Sequence, residues 1–264
     1  MSTICEKERT AGAAPDADAR MREVPSVRRA AAMLWHLGRH TEGLSLSRIA
    51  HDLGVLPSTC LHILRELVAA KLVAHDPEAK LYRLGSGVLT LARQLTHQSR
   101  FVQVTQSVLH RLSREFQVGA SAQERDGDDL VVVAAVSVLP GDMVSPGART
   151  TLFTSASGRL MAAFNDFMVA ELKQRFTRAR WQDAPSVEEW LKEVRFAGRA
   201  GYAVDEGRFR KGITTIAGPI LNLEGYVDRA ISVTAVSAQL DRGTRKQLAA
   251  AIRKAAAEVT KALN

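Results

Sequence analysis

Four side chains on one short segment are equipped to read a polyanion. Ser58, Thr59, His62 and Arg65 fall on one face of a predicted helix in PSTCLHILRELV, with hydroxyls near its start and a guanidinium further along. Such groups reach base edges and phosphate oxygens. The hydroxyls of Ser58 and Thr59 also suit a helix cap that accepts backbone N–H bonds. A second set lies far along the chain: Ser232 and Thr234 stand two apart in AISVT, so on a strand both hydroxyls point to one side and can converge on a small ligand. Blander readings stay open for each set: a solvated helix face, and the solvent side of a strand.

The first set needs a scaffold, and the flanking residues supply one. From Ser45 to about Asp52, Leu46, Ile49 and Ala50 form an inward stripe, and Gly54 permits a turn. The second helix carries its own apolar positions at Leu61, Leu64, Leu67 and Val68, and HDPEAKLYRLG reads as a small β-hairpin. This is the layout of a winged helix-turn-helix, which lays its second helix in the major groove of DNA. Ser26 can cap an earlier helix running to about Gly38, with Val27, Ala30, Ala31, Leu34 and Leu37 on one face. The candidate DNA contacts are Arg28, Ser45, Arg48, Ser58, Thr59, His62, Arg65 and Lys80; Arg28 and its neighbour Arg29 are equally explained as solubilising charges.

Composition adds bounds. At 264 residues, 46% hydrophobic and 24% charged, the chain is long enough for two cores and ordinary for a globular protein. The net charge of +8 suits a nucleic-acid partner, yet through residue 98 there are 13 Lys and Arg against 10 Asp and Glu, so charge does not single out the DNA-binding end. Six of the seven histidines lie in that segment, without the clustered partners that would make them metal ligands. Cys5 and Cys60 make no disulfide framework, and neither a signal peptide nor a membrane span is read, so a soluble, cytoplasmic protein is expected.

Residues 1–24 lack apolar periodicity and read as a disordered arm; 25–85 hold the winged module, and 86–99, with Val88, Leu91, Ala92 and Leu95 as its stripe, a linker helix. Residues 100–264 read as α+β around an antiparallel sheet. They comprise a helix from Phe101 to about Val118, strands Ala120–Glu124 and Asp128–Val138 about a turn at Asp126-Gly127, and a short helix from Ser157. Further helices are expected at Phe167–Phe176 and Ser186–Ala200, strands at Tyr202–Asp205, Thr214–Leu221 and Tyr226–Val236, and a last helix from Asp241 to Leu263.

The stretches PSVRRAAAML, GVLPSTCLHILRELV, LYRLGSGVLTLA, TSASGRLMAAF and GYAVDEGRFRKGITTIAGPILNLEGYVDRAISVT, in this order and spacing, resemble the IclR family of bacterial transcription regulators. The resemblance implies a GAF-like effector-binding domain after the linker helix, and a homodimer or homotetramer on double-stranded operator DNA. It places the effector site at Ala156, Ser157, Asp205, Thr215, Ser232 and Thr234, and implies an aromatic or small aliphatic carboxylate as effector. Met143, Leu152 and Phe153 are candidates for its apolar walls, since small-molecule pockets are mostly apolar with a few placed polar groups. A helix N-terminus at Ser157 would favour a carboxylate, although that serine is otherwise merely a cap. Two residues depart from the family pattern. His62 stands where Arg is usual, so the charge there depends on pH and the fork is lost, and Lys71 stands where Gly usually turns the chain into the wing. The competing reading is an enzyme, or a ligand-binding protein, with an incidental winged module. Its catalytic equipment is missing: GxSxG is absent and the adjacent Asp205 and Glu206 point different ways on a strand. No catalytic residue, metal or cofactor is expected.

Overall fold

The structure is a computed structural model that describes residues 24–137, 145–179 and 181–264; Met143 and nearly all of the expected arm lie outside them. The chain divides into two compact units between Ala92 and Arg93.

In the first unit, prolines set two helix starts. Helix α1 (Pro25–Leu37) and helix α3 (Pro57–Ala69) each carry Pro at their N-terminus, where its fixed φ suits the helix and its missing N–H costs nothing. Neither start has a side-chain cap, which corrects the capping roles expected for Ser26, Ser58 and Thr59. Between them lie strand β1 (Leu44–Ser45) and helix α2 (Leu46–Asp52), which Ser45 does cap by accepting the Arg48 N–H at 3.3 Å. Strands β2 (Val73–Asp76) and β3 (Leu81–Leu84) form the wing, and among the described residues the small sheet runs β1-β3-β2. Met33, Leu37, Ile49, Cys60, Leu64 and Leu67 are the heart of the core. Val27 and Leu61 were expected inward; instead Val27 is exposed and Leu61 half-buried, because Met33 and Cys60 hold the inner positions.

The turn from α3 into the wing keeps a left-handed residue without glycine: Lys71 has φ 61°. Its carbonyl accepts the Gly87 N–H at 2.9 Å, and a Cβ at Gly85 would come within 2.3 Å of the same oxygen. The wing is thereby tied to the start of helix α4 (Ser86–Gln98), which buries no side chain along its length.

Helix α5 (Arg100–Phe116), capped by Ser99, opens the second unit. Then come strands β4 (Gly119–Asp126), β5 (Asp129–Val136) and β6 (Arg149–Thr151), helices α6 (Ala156–Phe164), α7 (Val169–Arg178) and α8 (Val187–Ala200), strands β7 (Ala203–Glu206), β8 (Ile213–Leu221) and β9 (Val227–Val236), and helix α9 (Arg242–Leu263). Among the described residues the strands form one antiparallel sheet in the order β6-β5-β4-β9-β8-β7. Strand β6 went unread in the sequence, being too short to show alternation. One face carries the main apolar core: Ala120, Ala122, Val233, Ile231 and Ile216 pack on Leu109 and Leu112 of α5 and on Leu248, Ile252 and Val259 of α9. The other lies under α6 and α8, where Ala156, Leu160 and Ala197 meet Ala203 and Ala217.

Two backbone positions, Lys71 and Gly158, test this packing. Removing the left-handed strain with Lys71→Gly is expected to raise stability by about 1 kcal/mol, read as a higher midpoint in chemical denaturation with an unchanged slope. In contrast, a Cβ at Gly158 would lie 1.5 Å from the Leu152 carbonyl oxygen. Gly158→Ala is therefore expected to cost roughly 3 kcal/mol or more in the same measurement, with backbone having to move.

Candidate functional site

On α3 the apolar and polar sets separate by half a turn. Cys60, Leu64 and Leu67 are buried, while Ser58, His62 and Arg65 are exposed on the opposite side with Thr59 half-buried beside them. Among the described residues neither His62 nor Arg65 has an ion-pair partner, so both exposed side chains can meet an incoming anion. Lys80 sits at the exposed end of the wing with φ 57°, in a turn whose N–H groups at Glu78 and Ala79 are held by Asp76. Arg28 is exposed on α1.

Ser45 and Arg48 are more committed. Ser45 is occupied as a cap and lies 3.1 Å from the Ser47 hydroxyl. Arg48 donates from Nε to Asp52 at 2.7 Å, and His36 and His51 each approach the same carboxylate at 3.2 Å. The hydrogen bond from Arg48, then that from His51, holds the Asp52 carboxyl down to about 2. Cys60 is wholly buried, and that burial pushes its thiol up, away from the thiolate a nucleophile needs.

In the second unit, strand register assembles the other set. Directly opposed residues of antiparallel strands share a face. Ser121 of β4 opposes Ser232 of β9, which opposes Ala217 of β8; one row on, Thr234 opposes Thr215, which opposes Asp205 of β7. All lie under α6. The Ser121 and Ser232 hydroxyls are 3.0 Å apart, Gln123 Nε2 donates to Ser232 at 3.1 Å, and Ser157 donates to the Gln123 carbonyl oxygen. Thr215 and Thr234 hydroxyls lie 3.4 Å apart. Neither bland reading of these residues survives: Ser232 is 1% and Thr234 8% exposed, and the cap of α6 is Ser155, with Ser157 buried inside the first turn. Ala156 is also buried, but among alanines and Leu160. Leu152 and Phe153 are buried with Trp190 in an apolar cluster of their own.

Ser121 and Gln123 escaped the sequence reading although SAQ alternates as a strand should. So did Arg159, which is 1% exposed on α6 and donates from Nε to Glu193 at 2.6 Å and from Nη2 to Asp205 at 3.2 Å. Asp205 also accepts the Phe209 N–H at 3.1 Å. Burial pushes the Asp205 carboxyl up, working against Arg159 and that N–H, which favour the charged form. Among the described residues no helix is long and apolar enough to cross a membrane, and no group of three or more His, Cys, Asp or Glu is placed to hold a metal ion.

Comparison with known proteins agrees with this two-part layout. Residues 26–77 match the IclR helix-turn-helix domain, and residues 93–261 match the C-terminal domain of the bacterial transcriptional regulator IclR. The chain is 26% identical over 246 residues to the HTH-type transcriptional repressor AllR of Escherichia coli K12, covering 90% of each protein. A crystal structure of a regulator of this type from Alicyclobacillus acidocaldarius superposes with a TM-score of 0.80 at 24% identity, covering 92% of this chain and 100% of that one. A homologue from Microbacterium hydrocarbonoxydans, solved in complex with 4-hydroxybenzoate, superposes with a TM-score of 0.74 at 18% identity over 90% of this chain and 98% of that one. With a helix-turn-helix module ahead of an α+β effector-binding domain, the chain belongs to the IclR family of bacterial transcriptional regulators.

Proposed function

We propose that the chain couples operator binding to capture of a small carboxylate from bacterial catabolism, acting in the cytoplasm as a homodimer or homotetramer and not as an enzyme. The observation that carries this reading is the buried polar cluster at the start of α6. Hydroxyls of Ser121, Ser157 and Ser232 and the Gln123 amide satisfy one another in the interior of the domain. Polar groups bought at this depth must be fully paired to be tolerated, and the sheet would be simpler without them. A ligand carboxylate could accept hydrogen bonds from the serine hydroxyls and the Gln123 amide N–H, aided by the N–H groups and positive end of α6. The homologue bound to 4-hydroxybenzoate supports a carboxylate as the class.

At the other end, α3 would enter the major groove with Ser58, Thr59, His62 and Arg65 toward bases and phosphates, while Arg28 and Lys80 meet the backbone. Ser45 and Arg48 take lesser parts, one as a cap and the other tied to Asp52. Leu91 and Leu95 of α4, one turn apart and exposed at 56% and 68%, supply an apolar stripe through which two copies would pair. Ligand binding then shifts the population between two arrangements of the pair, with α4, in the region 86–99, transmitting the change to the spacing of the recognition helices.

Two measurements test the halves separately. In a gel-shift titration on the protein's own upstream region, Arg65→Ala is expected to weaken binding about tenfold and reduce the salt slope by about 1. An unaltered shift would remove Arg65 from the interface. In a thermal-shift screen of carboxylates that includes 4-hydroxybenzoate, the wild-type midpoint should rise with saturation, and Ser232→Ala and Asp205→Ala should lose that rise while still binding DNA. If both variants respond as wild type does, the effector lies elsewhere.

A further inference from the structure

Beside β7, the edge strand of the large sheet, is a cavity of about 330 Å³ lined by Arg159, Glu193, Phe196, Val204, Glu206 and Arg208. Its innermost member is unusual. Arg159 is 1% exposed, two of its nitrogens donate to Glu193 and Asp205, and Nη1 has no hydrogen-bond partner. A guanidinium N–H buried without an acceptor is costly, and native proteins normally answer such a donor with a protein group, a water or a ligand. The outer wall carries the opposite need. Glu206, more than half exposed, spends one carboxylate oxygen on Arg245 at 2.8 Å, and the Nε of that arginine is likewise buried without a partner. Arg208 reaches Glu193 at 3.3 Å and Glu189 only at 4.0 Å. The lining is therefore balanced in charge, with a donor unmet at the bottom, an acceptor near the mouth, and Phe196 and Val204 as apolar wall between them.

We infer that this cavity is a second ligand site, separate from the serine cluster under α6, and that it takes a small zwitterion whose carboxylate receives Arg159 Nη1–H and whose ammonium meets Glu206. A plain anion would satisfy Arg159 but leave the second carboxylate oxygen of Glu206 without a cation. A plain cation would leave Arg159 unmet. The volume is at the low end of small-molecule sites, which suits a compact amino acid. Asp205 joins the two sites physically. It pairs with Arg159 on one side and lies opposite Thr215 on the other, so a ligand in the edge cavity bears on the same carboxylate that borders the serine cluster.

The test is calorimetric titration of the full-length protein with three compounds of one carbon skeleton: L-norvaline, pentanoate and butylamine. Saturable binding of L-norvaline at least tenfold tighter than either partner compound is expected. Arg208→Gln and Glu206→Gln, both at the open side, should each weaken L-norvaline tenfold or more, and Glu206→Gln should erase the preference over pentanoate. Ser232→Ala should leave L-norvaline binding unchanged, which separates this site from the proposed effector cluster. No saturable heat from L-norvaline, pentanoate binding as tightly as L-norvaline, or full affinity in both cavity variants would each overturn the inference. Arg159→Gln, checked first for native circular dichroism, should abolish binding; where it fails to fold, the Glu206→Gln preference decides.

Discussion

The second domain depends on one close approach, that of Gly158 to the carbonyl of Leu152. The first turn of α6 passes so near the strand-to-helix bend that a single methyl would lie 1.5 Å from that oxygen. Only glycine leaves room for backbone to meet backbone in this way. Because α6 is seated there, its neighbours are aimed with little freedom. Ser157, one residue before, reaches Gln123 across the sheet, and Arg159, one residue after, is driven inward to Asp205 and Glu193. A helix start even an ångström further out would separate all of these pairs, since each is a hydrogen bond with no slack.

The sheet beneath can tolerate that polar load because its two faces do different work. Toward α5 and α9 the centre of the sheet offers apolar side chains, and Gly218 lets α9 approach to where a Cβ would meet Ala256 at 2.8 Å. That tightly packed side supplies the hydrophobic stabilisation. Toward α6 the register places Ser121, Ser232, Thr215, Thr234 and Asp205 in two adjacent rows, where every hydroxyl has a partner within reach. Satisfied polar groups in such a place cost little.

What the sequence disclosed follows the range of the interactions involved. The strand bearing Ser232 and Thr234 and the inward Leu64 and Leu67 of α3 are written in spacings of two to four residues, and the structure has them. Local chemistry with two solutions was misread: serine beside proline at the starts of α1 and α3 suggested caps, whereas Pro25 and Pro57 begin those helices without one. Arg159, Glu193 and Asp205 were invisible as a trio because their separations, 34 and 46 residues, carry no period. Gln123 joins the serine cluster only because β4 lies beside β9, a topological fact and not a local one.

The helix α4 sets the terms on which the proposed coupling can work. It is 13 residues long and buries none of them, and a helix of that length standing alone is marginal in water. Its N-terminal end is fixed by the Gly87 bond to the left-handed Lys71, and its C-terminal end stops at Ser99, which caps α5 instead of extending α4. Both ends are thus defined while the middle, with Leu89, Leu91 and Leu95 outward, is left to gain its stability from whatever covers those leucines. In a paired regulator that covering surface would be another copy, so the order of α4 and the spacing of the recognition helices would rise and fall together. A rigid, self-sufficient connector would transmit position alone; one whose stability is conditional also lets a few kcal/mol of ligand binding change how firmly the DNA-reading ends are held.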